Sequence, residues 1–296
     1  MVSVPVVGLE ATDARPQPAT LQFARRILRS PAGLVGTLLF LLIATVALLG
    51  FLIRPHDPAD VVGVPYQTPS GHAWLGTDEL GRDVLSRVLS GGTTLLLSSL
   101  VAAVAAYIVG VSIGMFAGYK GGRIDLGVIA VIDILLSVPP IIFVFVLLTG
   151  AGVSFAVVTV GIAVVLMPGV VRIARAATRE IVTNEFVEAA VARGESSRFI
   201  VWRELLPNLW TPLMADFGIR IAYAVGTYAA LAFLGFGRQP PAADWGTMIN
   251  ENRTGFLQNP WAVVAPAVLI AALTVAVNLV ADTYARSLGR SAAEHA

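Results

Sequence analysis

Residues 134–171, "ILLSVPPIIFVFVLLTGAGVSFAVVTVGIAVVLMPGVV", run for 38 positions without a charged side chain. A helix rises ~1.5 Å per residue and the hydrocarbon of a bilayer is ~30 Å thick, so ~20 apolar residues make one crossing. The run is long enough for two crossings. The "TGAG" at 149–152 is the turn between them, and Pro139-Pro140 predicts a kink in the first. Working outward, 34–53, 88–119, 221–237 and 254–281 are also free of charge. The 296-residue chain is 56% hydrophobic and 13% charged. This is an all-α, polytopic membrane protein. Six transmembrane helices are predicted, near 33–54, 93–118, 126–149, 152–173, 209–236 and 260–282.

Basic residues on short loops set orientation, because they stay on the cytoplasmic side. Of the 20 basic residues, 14 fall on one side: the N-tail (Arg15, Arg25, Arg26, Arg29), Lys120 and Arg123, six arginines between 172 and 203, and Arg286 and Arg290. Arg54, Arg82, Arg87, Arg238 and Arg253 fall on the other, and Arg220 lies inside a span. Both termini are therefore expected in the cytoplasm. The expected organisation is a tail at 1–32, a first span at 33–54, an extracytoplasmic segment at 55–92 and a five-span core at 93–283. A cytoplasmic segment at 176–208 lies within that core, and a second tail covers 284–296. The charges in the first thirty residues and the long apolar run that follows do not fit a cleavable signal.

The polar cassette interrupts this apolar chain. From Arg172 to Asn208 it carries six Arg and five Glu in 37 residues. "NEFVEAAVAR" reads as a helix exposing Glu188, Gly194 as its left-handed end, and Ser196 or Ser197 as the cap of a second short helix through "RFIVWRELL". Pro207 stops that helix or starts the next span. A helix–turn–helix of this kind can dock into a groove on another protein, or it can be an amphipathic surface hairpin without a partner.

On the outer side, "GTDELGRDVLSR" (76–87) predicts a short amphipathic helix capped by Asp78, with Asp83 and Arg87 paired at i,i+4. It either contacts an external protein or braces the outer mouth. The "DWGTMINENR" loop (244–253) is a similar case, with Trp245 and Trp261 as candidate interfacial anchors. Gly110, Gly114 and Gly118 form a small-residue stripe for close helix packing, within the bundle or against a second subunit.

Several chemistries are excluded or weakened. Cysteine is absent, so neither a disulfide framework nor a thiolate metal site exists. A net charge of +1 argues against a nucleic-acid partner. The one lysine, Lys120, precedes Gly121, so the phosphate-binding pattern G-x-x-x-x-G-K-[ST] is missing. Any ATP-derived work must enter through another chain. His56, His72 and His295 all lie outside the spans, which disfavours a catalytic dyad or a histidine metal site at membrane depth. Three charges fall inside spans: Asp133, Asp216 and Arg220. Such charges are functional candidates and keep an ion-coupled secondary transporter as the alternative. Asp216 and Arg220 can pair at i,i+4, and all three are shallow enough to reach the interface.

Glu188-Ala189-Ala190, Gly194 and Leu206-Pro207 together resemble the EAA motif of bacterial ABC-importer permeases. In the same order, "RRILRSP" (25–31), "GTDELGRDVLSR", "GGRIDLGVIAVIDILLSVPP" (121–140), "LPN" (206–208), "DWGTMINENR" and "PWAVVAPA" (260–267) are similar to the C-type permease of dipeptide, oligopeptide and nickel importers. The resemblance covers about 21–290 and implies a type I importer bundle in a bacterial inner membrane. It implies a second permease, two ATPase subunits that carry the ATP and Mg, and an extracytoplasmic binding protein. It assigns ATPase coupling to Glu188, Ala189, Ala190, Arg193, Gly194, Ser196, Arg198, Leu206 and Pro207. It makes Asp78, Arg82, Asp83, Arg87 and Trp245 candidates for binding-protein contact. No cofactor, metal ligand or catalytic residue is implied on this chain. Two departures stand out: Glu204 occupies a position where the family has an aliphatic residue, and Gly91-Gly92-Thr93 lacks a basic residue expected there.

Overall fold

A computed structural model describes residues 30–293, with side chains through Arg286, so the N-tail arginines and the Arg290 side chain lie outside the described residues. Helix α1 (Pro31–Leu49) begins with Ser30, whose Oγ accepts from the Gly33 amide, and with proline at its first turn, where a missing N–H costs nothing. A 3₁₀ turn, Gly50–Leu52, extends it. An irregular outer segment leads to α2 (Val84–Ser90) and then to α3 (Thr93–Lys120).

The third predicted span is broken. It comprises α4 (Gly122–Ser137) and α5 (Pro140–Ala151), bent by 85°. The kink expected at Pro139-Pro140 is thus a corner. Each residue before a proline is pushed to extended backbone; Val138 has ψ 126° and Pro139 ψ 131°, and neither proline can donate to a helix ladder. Helix α6 (Phe155–Ile181) follows the predicted turn, capped by Ser154. It runs two turns past the predicted end at 173, so Arg175 and Arg179 join Arg172 in the helix and do not lie in a loop.

Helix α7 (Glu185–Ala192) and the short α8 (Ser197–Phe199) form the cassette. A wide π-type turn, Ile200–Leu205, joins α8 without interruption to α9 (Leu206–Leu231). Pro207 sits in the first turn of α9, where the next span begins, and α8 runs into it through the wide turn. Its missing N–H leaves the preceding turn free to widen, and the Leu206 amide reaches back to the Val201 carbonyl. After a second wide turn, Ala232–Phe236, come α10 (Trp245–Asn252) and α11 (Trp261–Ala293), the latter longer than the predicted 260–282. Five helical stretches are long and apolar enough to cross a membrane, and the bent α4–α5 pair makes the sixth. No named strand occurs among the described residues.

The most extensive packing is between α3 and α6. It follows from the glycine stripe, which faces α6 within the bundle. A methyl carbon at Gly110 would lie 2.9 Å from Val170 Cβ, at Gly114 2.6 Å from the Val171 carbonyl oxygen, and at Gly118 2.9 Å from the Arg175 carbonyl oxygen. Two apolar clusters result. One, including Ile43, Leu95, Ile162 and Trp245, occupies the outer and middle bundle. The other, including Met115, Val170, Val187, Ile200 and Leu209, lies beneath the cassette.

Candidate functional site

The cassette is built as its residues dictate. Asn184 starts α7 from extended backbone. At the far end the Glu195 amide donates to the Ala190 carbonyl and the Gly194 amide to the Val191 carbonyl, the paired bonds of a Schellman cap. Gly194 carries φ +77°. Ser196 Oγ then accepts from the Phe199 amide and starts α8, while Lys120 at the end of α3 donates to Ser197 Oγ at 2.8 Å. Helix, glycine and helix are where the sequence reading puts them.

The cassette has a seated face and an open one. Val187 and Ala190 of α7 are buried with Ile200, Val201 and Leu205 against α3, α6 and α9. Glu188, Ala189, Val191, Arg193, Gly194, Ser196, Arg198 and Pro207 are exposed, and Leu206 is half-buried. Ser196, Arg198, Phe199, Trp202 and Arg203 line an open groove beside them. The seated face touches three long helices at once. Glu204 bonds Arg193 across the turn at 3.2 Å, so the departure from the family pattern adds a tie between the two halves of the cassette. An exposed pair of this kind contributes under ~1 kcal/mol.

At the opposite end, the outer segment and α10 form a polar cap, and here the expected contacts are corrected. The helix cap is Asp83, which accepts from the Ser86 amide and hydroxyl; α2 begins at Val84, not Glu79. Asp83 does not pair with Arg87. Arg87 instead approaches Asp78 at 3.2 Å and Glu251 at 2.9 Å, and Arg82 bonds Asp78 at 2.6 Å and Glu251 at 3.3 Å. Two guanidiniums and two carboxylates close a cluster that joins Arg82 to Glu251 across 169 residues of chain. Asp78, Arg82, Asp83, Arg87 and Trp245 are at most 3% exposed, so those side chains brace the cap and present no surface to a partner. Trp245 is no interfacial anchor: its indole N–H donates to the Val88 carbonyl in the interior. Asp244 caps α10 and accepts from Tyr228, and burial pushes its carboxyl above the usual range. Tyr228 lacked any sequence signal, and Glu251 was marked only by its place in the 244–253 stretch, since their partners are distant in the chain.

The intramembrane charges are all paired. Asp216, buried, accepts from Tyr107 of α3 and from Arg220 at 3.0 Å, and the Arg220 guanidinium lies over Gly169 of α6. Asp216 therefore does not snorkel; a three-helix network satisfies it. Asp133 pairs with Arg172. Asp125, which sequence reading passed over, is buried and held by Arg175 and, at 3.3 Å, by Arg179. Among the described residues no group of His, Asp or Glu is arranged to hold a metal.

The described chain is thus a helical bundle with a polar cap at one end and an exposed helical knob seated on its core at the other. Residues 110–292 match the binding-protein-dependent transport system inner membrane component family. The chain is 33% identical to the dipeptide transport system permease protein of Haemophilus influenzae, over 84% of this chain and 87% of that one. It is 30% identical to the glutathione transport system permease protein of Pectobacterium atrosepticum, over 88% and 87%. In fold it is similar to a chain of the MetNI methionine ABC transporter in inward-facing conformations, with TM-score 0.54 and 20% identity over 69% of this chain and 95% of that one. The chain belongs to the binding-protein-dependent transport system inner membrane component family.

Proposed function

We propose that this chain is one of two permease subunits of an ATP-driven ABC importer in a bacterial inner membrane, and that the solute is a di- or oligopeptide or a related small molecule. The observation that carries the reading is the cassette: an exposed helix–Gly194–helix seated on α3, α6 and α9 of a chain without a phosphate-binding loop. Of two ATPase subunits holding ATP and Mg, one docks on its open face, with Glu188, Ala189, Arg193, Gly194, Ser196 and Arg198 at the contact, buried Ala190 seating the helix and Leu206-Pro207 following it. Both termini lie on that cytoplasmic side. The relatives' peptide and glutathione transport names support the solute class. A binding protein meets the outer cap through its exposed side chains, such as Trp74, Leu80 and Leu257. Closure of the ATPases shifts the bundle because they contact the cassette differently in their two states.

The test is the turn. A β-branched residue at φ +77° costs about 1–2 kcal/mol, whereas asparagine tolerates that backbone. No atom lies within 4 Å of an added side-chain carbon there, so the cost is backbone strain and not a clash. Gly194→Val is expected to lower labelled dipeptide uptake at least tenfold, with membrane abundance within twofold of wild type, and Gly194→Asn to retain uptake. Wild-type uptake by the valine variant would sink the coupling role. Purified alone, the chain is expected to hydrolyse no ATP; ion-driven flux through it in vesicles would instead support the secondary-transporter alternative.

A further inference from the structure

We propose that the Asp133–Arg172 pair is a water-facing station on the solute pathway that reads the carboxylate and ammonium of a zwitterionic solute. The proposal rests on the import reading above and adds where the solute's charges are met.

Asp133 lies eleven residues beyond Gly122 on α4, and Arg172 nine residues before Ile181 on α6. At ~1.5 Å per residue these positions are roughly 16 Å and 14 Å from the helix ends. Both side chains are about half exposed, 54% and 52%, unlike buried Asp125 and Asp216. Three surroundings could cover them. Lipid fits poorly: each half-exposed charge would face hydrocarbon, where an ionised side chain is costly. A dry protein interface also fits poorly. Guanidinium has five N–H donors, and among the described residues Arg172 has Asp133 as its one partner. Burying the remaining donors unpaired would cost several kcal/mol. Water, exchanged for solute, satisfies them.

The pair also belongs to a polar column on α6. Arg172, Arg175 and Arg179 share one side of the helix, and Arg220 covers Gly169 one turn further in. Four guanidiniums there face three carboxylates, Asp125, Asp133 and Asp216. These four guanidiniums exceed the three carboxylates by one positive charge, which favours a solute bearing a carboxylate. Asp133 supplies the complement for an ammonium.

The experiment uses the assembled complex in inside-out and right-side-out vesicles, with and without a non-hydrolysable nucleotide. The chain has no cysteine, so Arg172→Cys gives this chain its one thiol, and labelling is read on this chain after it is separated from its partners. It is expected to react with a charged methanethiosulfonate at least tenfold faster than Val131→Cys, on the opposite side of α4, in at least one state. No reaction in any state, while the denatured protein labels fully, would overturn the proposal. In uptake, Arg172→Gln is expected to erase at least tenfold of the wild-type preference for alanylalanine over its C-terminal amide. Equal loss for both forms, restored by the exchange Asp133→Arg with Arg172→Asp, would identify a structural brace and overturn it. If the wild-type complex moves neither form although the Arg172→Cys thiol labels, the peptide reading fails and the solute assignment with it, while the pair's water exposure stands.

Discussion

Gly114→Leu is expected to leave almost no correctly folded chain in the membrane. Even one added carbon would stand 2.6 Å from the Val171 carbonyl oxygen and 2.8 Å from Ala174 Cβ, and the nearest obstacle is backbone, which cannot rotate away. In lipid, helices associate through close packing and not through a hydrophobic drive, so separating α3 from α6 removes the main force holding them. Overpacking by one methyl costs typically about 1–3 kcal/mol, and a leucine more. Gly114→Ala should therefore lower the thermal midpoint of the detergent-solubilised protein by several degrees, and Gly114→Leu should abolish a monodisperse species. Gly226→Ala supplies the contrast: no atom lies within 4 Å of its added carbon, and alanine is the better helix former. A Gly114→Leu protein with wild-type melting would refute the packing.

Arg87→Met is expected to destabilise the outer cap by about 3–5 kcal/mol, the cost of leaving buried carboxylates short of a partner. Arg87 is fully buried, and its loss leaves Asp78 and Glu251 sharing Arg82 alone. The pH dependence has a definite sign. Burial already holds the Glu251 carboxyl above the usual carboxylate range, against the pull of Arg87 and Arg82. Removing Arg87 raises it further. A carboxyl with a raised folded-state pKa favours the fold when protonated and loses that contribution as pH rises through the folded value. The variant should therefore melt higher at pH 5 than at pH 8, and the added Glu251→Gln substitution should recover part of the loss at pH 8. A variant whose melting is unchanged, or falls on acidification in step with wild type, would show that the cluster does not hold the cap.

The parts of this protein visible in the sequence are those encoded by near neighbours. Uncharged runs of twenty or more residues require spans because of hydrocarbon thickness. Gly194 between a helix and a serine cap requires a turn, and the absent phosphate-binding loop requires work to come from elsewhere. Several of the errors involve distant partners. Asp78 resembles a helix cap until Glu251 and Arg87 arrive from elsewhere in the chain. Asp216 looks able to snorkel until Tyr107 and Arg220 enclose it. Trp245 reads as an interfacial anchor until Val88 accepts its N–H in the interior.

The sequence by itself thus determined the class of protein, the six crossings and the position of the cassette, because hydropathy, capping and proline geometry act over a few residues. Only the tertiary structure decided that the glycine stripe serves α6 and that the double proline makes an 85° corner. It alone also decided that the outer charges close on one another. The stripe depends on a surface about 60 residues away and the charge cluster on one 169 residues away, and the size of the corner on how α5 packs, so no local pattern carries that information.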